Sequence, residues 1–129
     1  MSLTVTPLYA GMLTLVYLVL TVRVVRYRRG NQISLGDQGD SQMAKRVRVH
    51  GNWAEYAPLV MILLLITELQ GAPALVLHLI GAAFLIGRIC HAVGVSQTPQ
   101  IMPLRVVGMV LTISVMILTS LGLIGHSLL

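Results

Sequence analysis

The sequence predicts an all-α integral membrane protein built as a bundle of four transmembrane helices. Three observations predict it. Hydrophobic residues fill 56% of the 129 positions and only 10% are charged. With a mean hydropathy of +0.85, that composition lies outside the range of soluble globular domains. Charge-free runs at 2–22, 69–87 and 106–129 are long enough, at ~1.5 Å per residue, to cross ~30 Å of hydrocarbon. A fourth run follows the polar stretch K-R-V-R-V-H-G-N-W-A-E-Y-A-P, residues 45–58, and continues as L-V-M-I-L-L-L-I-T. The expected spans are 4–26, 44–68, 73–94 and 103–126, in one membrane domain covering 1–129. Short connections leave no room for a separate soluble domain, so function must sit within the bundle or at its rim.

Charge placement orients the bundle. All nine Lys and Arg residues flank the first and third connections: Arg23, Arg26, Arg28, Arg29, Lys45, Arg46 and Arg48 at one, Arg88 and Arg105 at the other. The second connection, E-L-Q-G-A-P, carries only Glu68. By the positive-inside rule the basic connections are cytoplasmic and both termini lie outside the cytoplasm. The net charge of +5 is therefore a topology signal. No basic face with interleaved aromatics stands clear of the membrane boundary, so nucleic acid is not an expected partner. The first apolar segment lacks a basic n-region and is followed by its positive charges, so it is expected to remain as the first span. A single cysteine, Cys90, excludes an intrachain disulfide.

The first span is apolar with Tyr9, Thr14 and Tyr17 scattered through it, and it ends in V-R-V-V-R-Y-R-R-G. Arg23 and Arg26, three apart, share a face. Arg28 and Arg29 read as plain headgroup anchors. The connection G-N-Q-I-S-L-G-D-Q-G-D-S is turn chemistry, with Asp40 or Ser41 as the N-cap of the next helix. Asp37 and Asp40 lack the spacing and terminal Glu of a calcium loop.

The second span carries the chain's most informative pattern. On a helix, Lys45, Arg48, Asn52 and Glu55 fall at i, i+3, i+7 and i+10, one polar stripe with Tyr56 beside it. Basic residues alone could snorkel to lipid headgroups. An amide and a carboxylate deeper than the basic residues cannot reach far, so this face is expected to hold a polar ligand or a neighbouring subunit. Pro58 frees the Ala54 carbonyl one turn further on. The third span has small residues at Gly81, Ala82, Ala83 and Gly87, where Ala83 and Gly87 form a small-xxx-small pair for close helix approach. At its basic end Arg88 and His91 share a face. Pro103 suits the first turn of the fourth span. Arg105, in the same turn, opposes the helix dipole at a cost of ~0.3 to 1 kcal/mol that an anion would relieve. Thr112, Ser114, Thr119 and Ser120 read as packing and interhelical hydrogen bonding. Glu68, His78 and His126 lie toward the other side without ligand spacing on one helix, so no metal site is expected.

Arg23 or Arg26, Lys45, Arg48, Arg88, His91 and Arg105 thus reach one membrane boundary from four helices. Together they suit a bound anion, with Asn52 and Glu55 reading an amine or peptide N–H on the same molecule. Anionic lipid headgroups would account for the basic part alone.

Three motifs resemble the MAPEG family, membrane-associated proteins in eicosanoid and glutathione metabolism. They are R-x-x-x-N-x-x-E-Y-x-P at Arg48, Asn52, Glu55, Tyr56 and Pro58, G-R-x-x-H at Gly87, Arg88 and His91, and P-L-R at 103–105. Their order and the four-span layout match over essentially the whole chain. H-G-N-W-A-E-Y-A-P looks most like the small bacterial branch. The resemblance implies a bacterial inner membrane protein, a homotrimer in contact with membrane lipids, that binds glutathione at subunit interfaces open to the cytoplasm. It implies Arg48, Asn52, Glu55, Tyr56, Arg88 and His91 as glutathione-binding residues, with a first-span arginine, Arg26 or Arg23, beside them. It matches Arg105 to the arginine that stabilises the thiolate, in a glutathione transferase or peroxidase acting on a small lipophilic substrate. Val95 stands where some members carry a tyrosine and Val106 where a serine follows the arginine. A glutathione- or lipid-binding bundle without turnover is therefore the alternative reading. A small multidrug-type transporter is a further one, although such a protein needs an ionisable group near the midplane.

A reporter fused to the C-terminus should fall outside the cytoplasm, because every basic residue flanks the first or third connection. Activity of a cytoplasm-only reporter there would overturn the span assignment.

Overall fold

The computed structural model describes residues 3–129; the first two residues of the expected domain, Ser2 of the first apolar run among them, lie outside the described residues. Four helices form in chain order: α1 (Val5–Gly30), α2 (Ser41–Leu69), α3 (Ala74–Ser96) and α4 (Met102–Leu128). At 23 to 29 residues they are about 35 to 44 Å long, and all four meet the length and hydropathy of a membrane span. α1 runs past position 26 to Gly30, carrying Arg28 and Arg29 in its last turn, where cations suit the dipole. α2 passes through Pro58 without a break, as intramembrane proline allows.

α2 and α3 are the central pair. Each packs on the other and on both remaining helices, whereas α1 and α4 do not touch among the described residues. The motif-bearing helices are thus the ones most enclosed by protein. Around Trp53, Val60 and Phe84 a core gathers Leu13, Leu20, Val49, Ala92, Val95 and Val115. A second cluster of Val5, Tyr9, Leu64 and Leu77 closes the opposite end. The outer face of α4 presents Val106, Val110, Ile113, Ile117, Leu121 and Ile124, all exposed. Such a stripe would be a liability in water and is ordinary against lipid tails.

The closest approach is between α3 and α4, and glycines permit it. A Cβ on Gly108 would lie 2.5 Å from the Gly87 oxygen and 2.6 Å from the His91 nitrogen, and one on Gly94 would lie 2.8 Å from the Arg105 nitrogen. Gly87 is one half of the small-residue pair expected on the third span. Its partner in space is Gly108 of α4, which the pattern on one helix could not indicate. Gly81 serves another purpose, since a Cβ there would overlap the Tyr9 ring. The Tyr9 hydroxyl donates to the His78 carbonyl at 3.1 Å, which ties α1 to α3.

Two helix starts are satisfied by carboxylates. Asp40 is the N-cap of α2, its Oδ1 accepting from the Gln42 and Met43 nitrogens at 2.8 and 2.9 Å. The Met43 N–H, helped by the Tyr27 hydroxyl and the Gln42 N–H, holds the Asp40 carboxyl below the usual carboxylate range. A depressed folded-state pKa means that this cap contributes fully above the ordinary range and is lost as the pH falls below it. Glu68, which the sequence places only in a connection, reaches across to the start of α1. Its Oε1 accepts from the Thr4 and Val5 nitrogens at 2.7 and 2.8 Å and its Oε2 from the Thr6 nitrogen at 2.6 Å. Three orphan donors of α1 are thereby paired with an anion at the positive end of its dipole.

Gly108→Ala should lower the thermal midpoint of the detergent-solubilised protein, at a cost of ~1 to 3 kcal/mol for overpacking. Gly11 has open space around its would-be Cβ, so Gly11→Ala should leave the midpoint unchanged or raise it. Equal midpoints for the two variants would show that the α3–α4 crossing does not need Gly108.

Candidate functional site

The polar stripe of α2 does not stay one face. Arg48 and Glu55, two turns apart, are exposed and pair through Nη1 and Oε1 at 3.2 Å. Asn52 lies between them in sequence but points into the bundle and is 4% exposed. The physical reason is angular. At ~100° per residue Asn52 is offset by about 40° from Arg48 and about 60° from Glu55, enough to cross from the rim to the α2–α3 contact.

What draws Asn52 inward is Arg88 of α3, which is only 1% exposed. The Arg88 Nη1 donates to Asn52 Oδ1. Its Nε donates to Thr112 Oγ1 at 2.9 Å and its Nη2 contacts the Met109 sulfur at 3.3 Å. The guanidinium carbon stands 5.0 Å from the centre of the half-buried Tyr56 ring. Thr112 in turn donates to the Gly108 carbonyl at 2.8 Å. A buried guanidinium stays charged and is costly to desolvate. An amide oxygen, a hydroxyl, a thioether and a π face offset that cost here, without a carboxylate. Arg88 is thereby the node that joins α2, α3 and α4 directly behind the Arg48–Glu55 pair.

His91, one turn further along α3, is 7% exposed and lies against the backbone of Gly108. Arg105 is half-buried in the first turn of α4. Its Nη1 donates to Gln100 Oε1 and its Nε is buried without a hydrogen-bond partner. The third connection that carries Gln100 is strapped down from α2, and the end of α3 before it from α1. Lys45 Nζ donates to the Gln97 carbonyl at 2.8 Å and to Thr98 Oγ1 at 2.7 Å, and Arg23 Nη1 donates to Ser96 Oγ at 3.3 Å. Lys45 is therefore more than a headgroup anchor.

Of the residues singled out from sequence, Arg88 reaches both Asn52 and Tyr56, and Arg48 and Glu55 form a separate pair on the rim. Arg26 stands elsewhere. It is exposed and lines a groove with Arg46, whose position on α2 is about 200° around from Arg48. Within one subunit Arg26 and Arg48 are on different sides of α2. Sequence reasoning did not single out Met109 or Gln100, nor Thr112 as the partner of Arg88. A threonine in an apolar helix was visible, but its partner was not. Toward the other end, His126 lines a groove of about 520 Å³ with Thr119, while Glu68 and His78 are engaged with α1. An apolar groove of about 300 Å³ runs between α1 and α2 along Leu13, Tyr17, Trp53 and Pro58. Val95 is buried in the main core, so the wall there offers no hydroxyl.

The model of the MAPEG family matches residues 6–125. The inner membrane protein YecN of Escherichia coli (strain K12) is 36% identical over 90 residues, which cover 70% of this chain and 69% of that protein. YecN of Escherichia coli O6:H1 gives the same figures. No solved structure matches. The match runs through all four helices and takes in the α2 stripe, the Arg88 node and Arg105 together, and the chain is an integral membrane protein that belongs to the MAPEG family.

Proposed function

We propose that the basic end of the bundle binds glutathione and presents its thiol to a small lipophilic electrophile, as a glutathione transferase or peroxidase in a homotrimer. The observation that carries the reading is the exposed Arg48–Glu55 pair set in front of the buried Arg88–Asn52–Tyr56 node. Both side chains of that pair are more than half exposed in one subunit, within reach of a zwitterionic peptide whose carboxylate would meet Arg48 and whose ammonium would meet Glu55. Arg88 holds Asn52 and Tyr56 in place from behind, so the wall against which the peptide packs is preorganised. His91 adds a polar group to the same wall. Arg26 would join the site from a neighbouring subunit.

Bound glutathione supplies a sulfur nucleophile for attack on an electrophilic carbon or a peroxide oxygen. Arg105 favours the thiolate by its fixed charge, since a thiol of reference pKa about 8.5 is mostly protonated at neutral pH. The contact with Gln100 limits how far that guanidinium can wander. The apolar groove between α1 and α2 and the lipid around it offer a lipophilic partner a route from the membrane. A binding protein without turnover is the second reading, and Val95 and Val106 favour it, because neither provides a hydroxyl to assist at sulfur. The transporter reading loses ground because Glu55 is paired with Arg48 and is not a lone ionisable group of the kind proton coupling needs.

Binding and chemistry separate by mutation. In calorimetric titration Glu55→Ala should weaken glutathione binding by ~1.5 to 3 kcal/mol, the worth of a hydrogen bond to a charged group. Arg105→Gln should still bind but lose the thiolate absorbance that wild type shows at saturation and fixed pH. Unchanged binding by Glu55→Ala would remove the α2 face as the site, and no thiolate signal in wild type would leave binding without activation. Native mass spectrometry in mild detergent should show a trimer. A population of monomers and dimers alone would count against the assembly.

A further inference from the structure

Arg105 is held by more than its own helix. Its Nη1 donates to Gln100 Oε1 and stands 3.6 Å from the Met102 sulfur. Its stem lies against Gly94 of α3, where a Cβ would come within 3.0 Å of the Arg105 Cγ. The guanidinium therefore has a packed wall on one side and a single side-chain oxygen to orient it.

That oxygen is itself fixed in place. Gln100 belongs to the connection 97–101 between α3 and α4, which is pinned on both sides of it. Before it, Lys45 Nζ of α2 donates to the Gln97 carbonyl and to Thr98 Oγ1, and Gln42 Nε2 donates to the same hydroxyl at 3.1 Å. After it, the Ile101 nitrogen donates to the Gly94 carbonyl at 3.0 Å, and the Arg105 nitrogen donates to the Ile101 carbonyl at 3.2 Å. A segment this short, fixed at both ends, leaves Gln100 little freedom beyond its own rotamer, so little ordering entropy remains to be lost when it meets Arg105.

The chemistry of the partner matters as much as its place. A carboxylate at position 100 would hold the guanidinium more firmly, through a charge-assisted bond, but would largely neutralise it toward any other anion. An amide oxygen orients the guanidinium and leaves its charge uncompensated. The same device recurs at Arg88, whose Nη1 donates to the amide oxygen of Asn52. Among the described residues the one ion pair is Arg48–Glu55, so neither amide-held arginine has a carboxylate partner. We infer that Gln100 is the positioning residue of Arg105, set in register by the strap from Lys45 to Thr98, and that its neutral amide keeps the Arg105 charge available to a bound thiolate. This rests on the glutathione reading above, and it adds a second residue to the thiolate step and a role for the start of α2 in that step.

Two readouts on the detergent-solubilised protein test it. The first needs no ligand: phenylglyoxal adducts are mapped by mass spectrometry, with the exposed Arg29 as internal reference. Gln100→Ala should raise the Arg105 adduct relative to Arg29 about threefold or more, as losing one hydrogen bond allows. Lys45→Met should raise it as well, and Gln100→Glu should not. The second readout is the pH titration of thiolate absorbance at saturating glutathione. Gln100→Ala should move its midpoint up, and Gln100→Glu should move it up by about 1 unit or more, because the new carboxylate offsets the cation that favours the thiolate. A merely structural role would not separate the two, since Gln100→Glu keeps Arg105 in place and still shifts the midpoint. Wild-type adduct ratios in a folded Gln100→Ala overturn the positioning role. A wild-type midpoint in Gln100→Glu overturns the role of the neutral amide. Should Gln100→Ala fail to fold, Lys45→Met and the near-isosteric Gln100→Glu carry both readouts, and wild-type values in both overturn the proposal. Wild type without a thiolate signal overturns the glutathione reading and the inference with it; the adduct ratios, read without ligand, then distinguish that failure from a failure of Gln100 to place Arg105.

Discussion

Arg88 is the constraint on which the rest of the arrangement depends. A guanidinium almost wholly enclosed in a membrane bundle must find polar partners inside the protein, since neither water nor lipid supplies them there. It finds them on two neighbouring helices, Asn52 of α2 and Thr112 and Met109 of α4, with Tyr56 beneath. Those contacts set the rotation of α2 and α4 about their axes relative to α3. Once Asn52 is turned inward, Arg48 and Glu55 are left on the rim, free to pair with each other or with a ligand. One buried charge thus decides which part of the stripe is scaffold and which part is available for recognition.

Close approach of α3 and α4 makes this possible. The glycines at 87 and 108 bring the two backbones together beside Arg88, which puts Thr112 within reach of its Nε. A bulkier crossing would leave that donor unpaired in an apolar surrounding, where the penalty is ~1 to 3 kcal/mol or more for a charged group. The same crossing sets His91 against α4 and Gly94 against the first turn that carries Arg105. Packing of small residues and placement of polar ones are therefore a single problem, since membrane helices gain little from hydrophobic association with each other.

The two ends of the bundle use different devices. At the acidic end Glu68 caps α1 across the gap between helices, which closes that end with a carboxylate on helix N–H groups. At the basic end Lys45 and Gln42 hold the third connection by a carbonyl and a hydroxyl group, and Arg23 reaches the last residue of α3.

Much of this was legible in the sequence, and for definable reasons. Hydropathy and run length determine four spans because a bilayer tolerates only helices with internally paired backbones, and the placement of nine basic residues orders the connections. The identity of the polar residues on α2, α3 and α4, and the family to which they point, could also be read directly. What the linear pattern could not determine is which neighbour each polar group would meet. Helical spacing put Asn52 in line with Arg48 and Glu55, yet an offset of a few tens of degrees divides them between interior and rim, and only the packing of α3 decides where that division falls. Arg26 and Arg48 likewise share the basic end of the bundle, yet Arg26 lines a groove with Arg46, which is set about 200° around α2 from Arg48. Glu68 looked like a connection residue and Gly108 like an ordinary helix position, because their partners, the start of α1 and the Gly87 backbone, are distant in the chain. Local periodicity fixes a residue's place on its own helix; rotation and contact between helices are properties of the folded bundle, and those decide its chemistry.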